Sequence, residues 1–212
     1  MYLEDNFKLS KNGYLDIGKR GIDLVFSTVG LIVLFPLFLI VGFLIKIDSP
    51  GPIFFKQMRI GKNGSTFKIY KFRTMCFDAE EKLKSLKDKN EMNGKQFKIK
   101  NDPRITNIGT FLRKTSIDEL PQLVNVLKGE MSLIGPRPAL LEEVKEYSEY
   151  EKKRLSVLPG CSGLWQVSGR NNLTFDQMVE LDLIYINNIN FSNDLKIILK
   201  TLKVMLTNEG AY

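Results

Sequence analysis

Between Leu24 and Ile45 the chain runs for 22 residues without a charge. As a straight α-helix this segment would be about 33 Å long at ~1.5 Å per residue, enough to span the hydrocarbon of a bilayer. A cleaved signal peptide has a shorter apolar stretch, about 7–15 residues, that ends at small residues. Here the run ends in Lys46-Ile47-Asp48-Ser49-Pro50 instead. Pro36 sits in the middle of it. Proline brings no N–H, and its ring collides with the carbonyl four residues back, so a kink is expected there.

The flanks indicate topology. Lys8, Lys11, Lys19 and Arg20 precede the apolar run; Lys46, Lys56, Arg59, Lys62, Lys68, Lys71 and Arg73 follow it, with Asp48 the lone acid among residues 46–73. Basic residues beside a membrane segment stay on the cytoplasmic side. Both flanks are basic, so both favour the same side. A re-entrant helix broken at Pro36, entering and leaving by one face, satisfies them. An ordinary kinked span is the alternative, because membrane-spanning helices tolerate proline. The chain then divides into residues 1–49, an arm with the re-entrant helix, and residues 50–212, a cytoplasmic domain. In that domain Leu195, Ile198, Leu199, Leu202, Met205 and Leu206 follow helical spacing on one face, and Lys196, Lys200 and Lys203 fall on another. That pattern fits a basic amphipathic helix lying in a membrane interface, and equally a core helix with solvated lysines.

The rest reads as α+β and mostly helical, with one small sheet. Ile53–Ile60 and Ser65–Thr74 flank Gly61-Lys62-Asn63-Gly64, and Asn-Gly between two such runs signals a β-hairpin. Helices are expected over Asp78–Asn90, around Ile105–Lys114, over Leu120–Lys128 up to Gly129, over Glu142–Leu155, and from the capping box Thr174-x-x-Gln177 to about Ile186.

The composition limits the chemistry. There is no histidine, which excludes a Ser-His-Asp triad, an imidazole base and any His-bound metal. Two cysteines, Cys76 and Cys161, are too few for a structural zinc site or a disulfide framework, and lone thiols suit a reducing compartment. Against 24 acidic residues stand 31 basic ones, a net charge of +7, which favours nucleic acid, phospholipid or phosphorylated substrates as partners.

Asp118-Glu119 is the acidic pair of most interest. Ser116-x-x-Glu119 matches a capping box, and acids belong in a helix's first turn, so a structural reading stands beside a catalytic one. Asp118 as the cap places Pro121 third in the helix, where no intrahelical bond is lost; Ser116 as the cap places it fifth. The first register is the expectation. Arg113 lies five residues before Asp118, Arg137 lies between Pro136 and Pro138, and Arg170 follows Gly169. Rigidly presented arginines suit a bidentate grip on phosphate oxygens. Acids and arginines without histidine point to phosphoryl chemistry, with an aspartate as nucleophile and a neighbouring carboxylate able to hold Mg²⁺.

These motifs resemble the bacterial sugar transferases, the monotopic polyprenyl-phosphate hexose-1-phosphate transferases. The likeness is carried by the blocks at 67–75 and 101–106, by Leu112 to Gln122 and Asn125 to Ser132, and by Gly135-Pro136-Arg137-Pro138. It continues in Pro159-Gly160, Gly163 to Asn171 and Gly210-Ala211-Tyr212. The resemblance implies that Asp118 attacks the sugar-bearing phosphate of a UDP-sugar, releases UMP, and passes the phosphosugar to polyprenyl phosphate, usually undecaprenyl phosphate. It implies Glu119 as the partner of Asp118 in the dyad, with a role in Mg²⁺ binding or positioning, and Arg113, Arg137 and Arg170 around phosphate groups. It also implies a re-entrant helix broken at a proline, at the cytoplasmic face of a bacterial inner membrane. Some members have a serine before that proline, where this chain has Phe35. Larger members add N-terminal membrane helices and a further domain, so the chain reads as a stand-alone catalytic unit. Its second half resembles the hexose-1-phosphate enzymes, which makes UDP-glucose or UDP-galactose the expected donor. Membrane phospholipid is an expected partner, nucleic acid is not, and a homo-oligomer is compatible. A nucleotide-sugar pyrophosphate hydrolase and a non-catalytic basic membrane adaptor are the competing readings.

Overall fold

The computed structural model describes residues 13–79, 81–82, 102–169 and 172–207. A π-helical turn, Tyr14–Gly18, leads into α1, Lys19–Asp48. The apolar run therefore forms one 30-residue helix with Pro36 inside it, rather than two helices broken there. A proline removes one rung of the ladder, the donor to the Ile32 carbonyl, and apolar residues on both sides sustain the helix past the gap.

Along one stripe α1 is buried, at Lys19, Asp23, Ser27, Val41, Gly42 and Ile45. Its other faces expose Val25, Phe26, Val29, Ile32, Val33, Phe35, Leu39, Ile40, Phe43 and Ile47. Both ends of the helix bond to the rest of the chain. At the N-terminal end, the Arg20 guanidinium donates to the carbonyls of Val126 and Leu127 at 2.6 and 2.8 Å, and Asp23 accepts from the Leu133 N–H at 2.9 Å. Lys19, Tyr14 and Tyr185 all donate to the Asp194 carboxylate, at 2.5, 2.7 and 2.8 Å. At the C-terminal end, Asp48 accepts from the Ile108 N–H at 3.0 Å, and Arg73 donates to the carbonyls of Ile45, Ser49 and Pro50. Val41 and Ile45 pack on Phe72 and Leu112, and Phe38 meets the Phe72 ring edge-on at 5.2 Å.

The hairpin forms as expected. Strand β1, Phe54–Ile60, pairs antiparallel with β2, Thr66–Phe72, from Phe54↔Phe72 to Ile60↔Thr66. Asn63 at φ 54° and Gly64 at φ 81° supply the left-handed backbone of the turn. Then follow α2, Asn107–Thr115, a 3₁₀ turn, Ile117–Gln122, and α3, Leu123–Lys128, ended by Gly129 at φ 78°. Strand β3, Ser132–Ile134, pairs in parallel with β4, Gly160–Ser162. Between them the expected single helix Glu142–Leu155 divides into α4, Leu141–Lys145, α5, Glu149–Lys152, and a 3₁₀ turn, Lys153–Ser156. The division falls at Ser148, whose hydroxyl accepts from the Glu151 N–H while Glu151 accepts from the Ser148 N–H. A reciprocal cap of this kind starts a new helix.

After a short 3₁₀ turn at Trp165–Val167, helix α6, Phe175–Asn187, opens on the expected Thr174–Gln177 capping box, and α7 spans Phe191–Thr207. The largest apolar cluster joins α6 and α7 to β3 through Ile134, Val179, Leu183, Ile186, Ile189 and Ile197. Ile197 and Asp194 therefore make the inward face of α7, while Leu195, Leu199 and Leu202 are 42–59% exposed. Of the expected apolar face, these three leucines stand outward, whereas Ile198 packs against the core cluster. The helix expected over Asp78–Asn90 begins at Ala79, and most of it lies outside the described residues, as does Gly210-Ala211-Tyr212.

Candidate active site

Asp118 and Glu119 lie in the first turn of the 3₁₀ segment, directly after Ser116. Ser116 takes the left-handed conformation, φ 57°, which reverses the chain between α2 and the turn. The register differs from the expected one: Ser116, not Asp118, holds the cap position, and no side-chain capping bond forms there. Pro121 is accommodated because the segment is a 3₁₀ turn that gives way to α3 only at Leu123. The reversal leaves Arg113, in the last turn of α2, acting electrostatically on Asp118.

The turn is held against β2. Asn125, fully buried in α3, accepts from the Tyr70 N–H at 3.0 Å and donates to the Lys68 carbonyl at 2.8 Å, as a neighbouring strand would. One residue further along β2, Lys71 donates to Glu119 Oε1 at 2.5 Å. On the other side Thr74 accepts from Arg113 Nε at 2.9 Å. Gly109 allows this approach, because a Cβ there would stand 2.1 Å from the Thr74 carbonyl oxygen. Asp102 and Arg104, an ion pair of 2.6 Å with both side chains buried, also act electrostatically on Arg113.

The two carboxyls are set apart by their surroundings. Asp118 is 8% exposed. Burial raises its pKa to about 6, aided by repulsion from Glu119 and opposed by Lys71 and Arg113. Burial acts on Glu119 in the same sense, but the Lys71 ion pair and the charges of Arg137 and Arg59 outweigh it and hold Glu119 below its ordinary value. Thus Glu119 stays ionised, and Asp118 becomes a carboxylate near neutrality with little solvent around it. A poorly solvated anion beside cations is suited to attack an electrophile that itself carries negative charge. Among the described residues no three metal-ligating side chains gather. Two carboxylates, one committed to Lys71, suit a cation that takes its other ligands from water and substrate phosphates, as Mg²⁺ does.

Of the residues singled out from the sequence, Asp118, Glu119 and Arg113 come together; Arg137, exposed, acts on Glu119 through its charge. Arg170 lies outside the described residues. Sequence reasoning gave Lys71 no role and did not consider Arg59 for the site. A signal was available in the hairpin alternation. Lys71 shares a strand face with the buried Phe67 and Ile69, and Arg59 pairs directly with Phe67. A charge on a buried face demands a partner.

A family model described as bacterial sugar transferase matches residues 14–208. The galactosyl transferase CpsE of Streptococcus agalactiae serotype III (strain NEM316) is 50% identical over 209 residues, 97% of this chain and 46% of that protein. The undecaprenyl-phosphate galactose phosphotransferase of Salmonella typhimurium is 45% identical over 198 residues, 92% of this chain and 41% of that protein. The exopolysaccharide production protein ExoY of Sinorhizobium fredii is 40% identical over 200 residues, 92% of this chain and 88% of that protein. The chain thus spans less than half the length of the first two and most of the third. By the reach of the family match and the extent of these identities, the chain belongs to the bacterial sugar transferase family.

Proposed function

We propose that the chain transfers a sugar 1-phosphate from a UDP-sugar to polyprenyl phosphate, in bacteria undecaprenyl phosphate. The observation that carries this reading is the Asp118–Glu119 pair: one carboxyl buried and raised to about 6, the other ionised against Lys71, with Arg113 alongside. An Asp118 oxygen attacks the sugar-bearing phosphorus. The bond from that phosphorus to the bridging oxygen breaks, and UMP leaves with the bonding pair. The aspartyl-phosphosugar so formed is attacked at the same phosphorus by a polyprenyl phosphate oxygen, which frees the carboxylate and yields polyprenyl diphosphate sugar. Arg113, Arg137 and Arg170 hold phosphate oxygens, and Lys71 fixes Glu119. Asp118 and Glu119 would hold Mg²⁺, which when bound neutralises phosphate charge.

The donor is a UDP-hexose. UDP-galactose stands ahead of UDP-glucose because two of the relatives are named for galactose. The reaction would be the first membrane step in building an exopolysaccharide, capsule, O-antigen or glycoprotein glycan. The site lies on the cytoplasmic face of the inner membrane, with residues 50–212 as the catalytic domain. Helix α1 enters the bilayer and returns, its path bending around Pro36, and the leucine face of α7 lies in the interface. Supporting this placement are the exposed apolar faces of both helices and the attachment of both ends of α1 to the same domain.

The test is UMP release from a panel of UDP-sugars with Mg²⁺ and undecaprenyl phosphate, together with mass spectrometry of acid-quenched protein. A phosphosugar adduct on Asp118 is expected. Confirmed turnover without that adduct refutes the covalent route, and sugar phosphate released to water at an undiminished rate without lipid refutes the transferase in favour of a hydrolase.

A further inference from the structure

We infer that Arg59 and Arg137 form an anion subsite on the Glu119 side of the dyad, that it receives a phosphoryl group of the nucleotide, and that Arg59 also sets the position of Arg137. The inference rests on the transferase reading only for the identity of the anion.

Arg59 is 7% exposed near the end of β1. Nη1 donates to the Pro138 carbonyl at 3.2 Å and Nη2 to Gln57 Oε1 at 2.8 Å, while Nε is buried without a partner among the described residues. The next residue, Ile60, donates its N–H to the Ala139 carbonyl at 2.9 Å. On the far side, the Pro136 carbonyl accepts from the Gly160 N–H at 2.8 Å. The segment carrying Arg137 is therefore tied to β1 at one end and to β4 at the other, with two prolines fixing φ between.

Charge makes the arrangement informative. Burying a guanidinium is costly unless an anion offsets it. Arg59 has no ion-pair partner among the described residues, and its strongest charged neighbour is another cation, Arg137, which together with burial holds it down to about 10. Glu119 and Glu143 act on Arg59 only at a distance, and each has its own partner, in Lys71 and the Leu140 N–H. Among the described residues neither guanidinium of this rigid frame has an ion-pair partner, and a phosphoryl group would supply one through bidentate bonds.

The side of the dyad selects the nucleotide over the lipid phosphate. Arg113 belongs to α2, whose Leu112, the residue before it, packs on Val41 and Ile45 of α1. Arg137 instead lines a cleft with Gly61, Tyr147, Arg154 and Pro159, to which α1 contributes no residue.

Equilibrium dialysis of the full chain in detergent micelles, without added divalent metal, tests this with UMP, uridine, inorganic pyrophosphate and geranyl phosphate. Arg59→Gln is expected to weaken UMP and pyrophosphate at least tenfold, leaving uridine unchanged and geranyl phosphate within twofold. Arg59→Lys keeps the charge but cannot reach both Gln57 and Pro138, and is expected to cost at least threefold at an unchanged melting temperature. If Arg59→Gln fails to fold, Arg59→Lys and Arg137→Gln, at an exposed position, decide the matter. Equal losses for uridine and UMP make Arg59 a structural residue and overturn the subsite. A loss confined to geranyl phosphate assigns the pair to the acceptor and overturns the nucleotide assignment. Pyrophosphate binding needs no turnover: Arg59-dependent binding without UMP release from any UDP-sugar refutes the transferase and keeps the subsite, whereas normal turnover with Arg59-independent binding does the reverse.

Discussion

Lys71 on β2 and Glu119 in the 3₁₀ turn, 48 residues apart in sequence, form an ion pair of 2.5 Å. Through it the hairpin determines the charge state of the dyad, since Lys71 lowers the pKa of both Glu119 and Asp118. Replacing Lys71 by Met is expected to slow UMP release by ~10²-fold, the scale of losing one fixed charge in a poorly solvated site. Loss of the cation also raises Asp118 further, so the acidic limb of the rate profile should move to higher pH. A profile that drops in height without shifting would show that Lys71 does not act on the dyad's ionisation.

For Asp118 itself, activity and stability should run in opposite directions with pH. As a nucleophile it must be ionised, so UMP release should climb as pH passes about 6 and level off above it. Folding has the other sign: the folded pKa lies above the unfolded one, so this group's contribution is fully present below pH 3.8 and lost as pH rises past about 6. Asp118→Asn removes the buried charge. It should abolish turnover yet stabilise the fold at pH 7.5 by roughly 1–3 kcal/mol, measured by thermal melting. An inactive variant that melts lower would mean the carboxylate is needed for folding.

The parts legible in the sequence were those fixed by local rules. The hairpin turn at Asn63-Gly64 and the box at Thr174–Gln177 each depend on a few adjacent residues, and both formed as expected. Glu142–Leu155 was misread because its apolar spacing continues across Ser148, while the competing signal, the reciprocal bond to Glu151, spans only four residues. The dyad was legible as a pair of acids near arginines, but not its register, because Ser116 in a left-handed conformation has no sequence mark as glycine would. Lys71 and Arg59 needed the strand pairing before their surroundings could be seen, and the N-terminal attachments of α1 join residues more than a hundred positions apart.

Gly109 should tolerate no side chain. An alanine Cβ would lie 2.1 Å from the Thr74 carbonyl oxygen, a backbone atom that cannot rotate away. To admit it, α2 must lift from the strand end, which parts Arg113 from the Thr74 hydroxyl. Gly109→Ala is expected to cost about 1–3 kcal/mol in thermal or denaturant unfolding. It should also slow UMP release more than the loss of folded protein explains. Full stability would show that α2 can shift at no cost, and full specific activity that Arg113 does not depend on this contact.

The attachments at the two ends of α1 make topology testable without reference to the chemistry. Arg20 bonds to the last carbonyls of α3, and Asp48 bonds to the first turn of α2, so no bilayer can separate the two ends while both sets of bonds persist. A straight crossing would break one set and leave Arg20 or Asp48, both half-buried, without these partners. After Cys76 and Cys161 are replaced by serine, single cysteines at Gly13 and Lys62, both exposed and on either side of the helix, can be probed in intact cells with a membrane-impermeant maleimide. Neither should react until the inner membrane is opened, and then both should. Labelling of one alone in intact cells would place the ends of α1 on opposite faces and rule out the re-entrant path, while the assignment of Asp118 would stand on the adduct experiment.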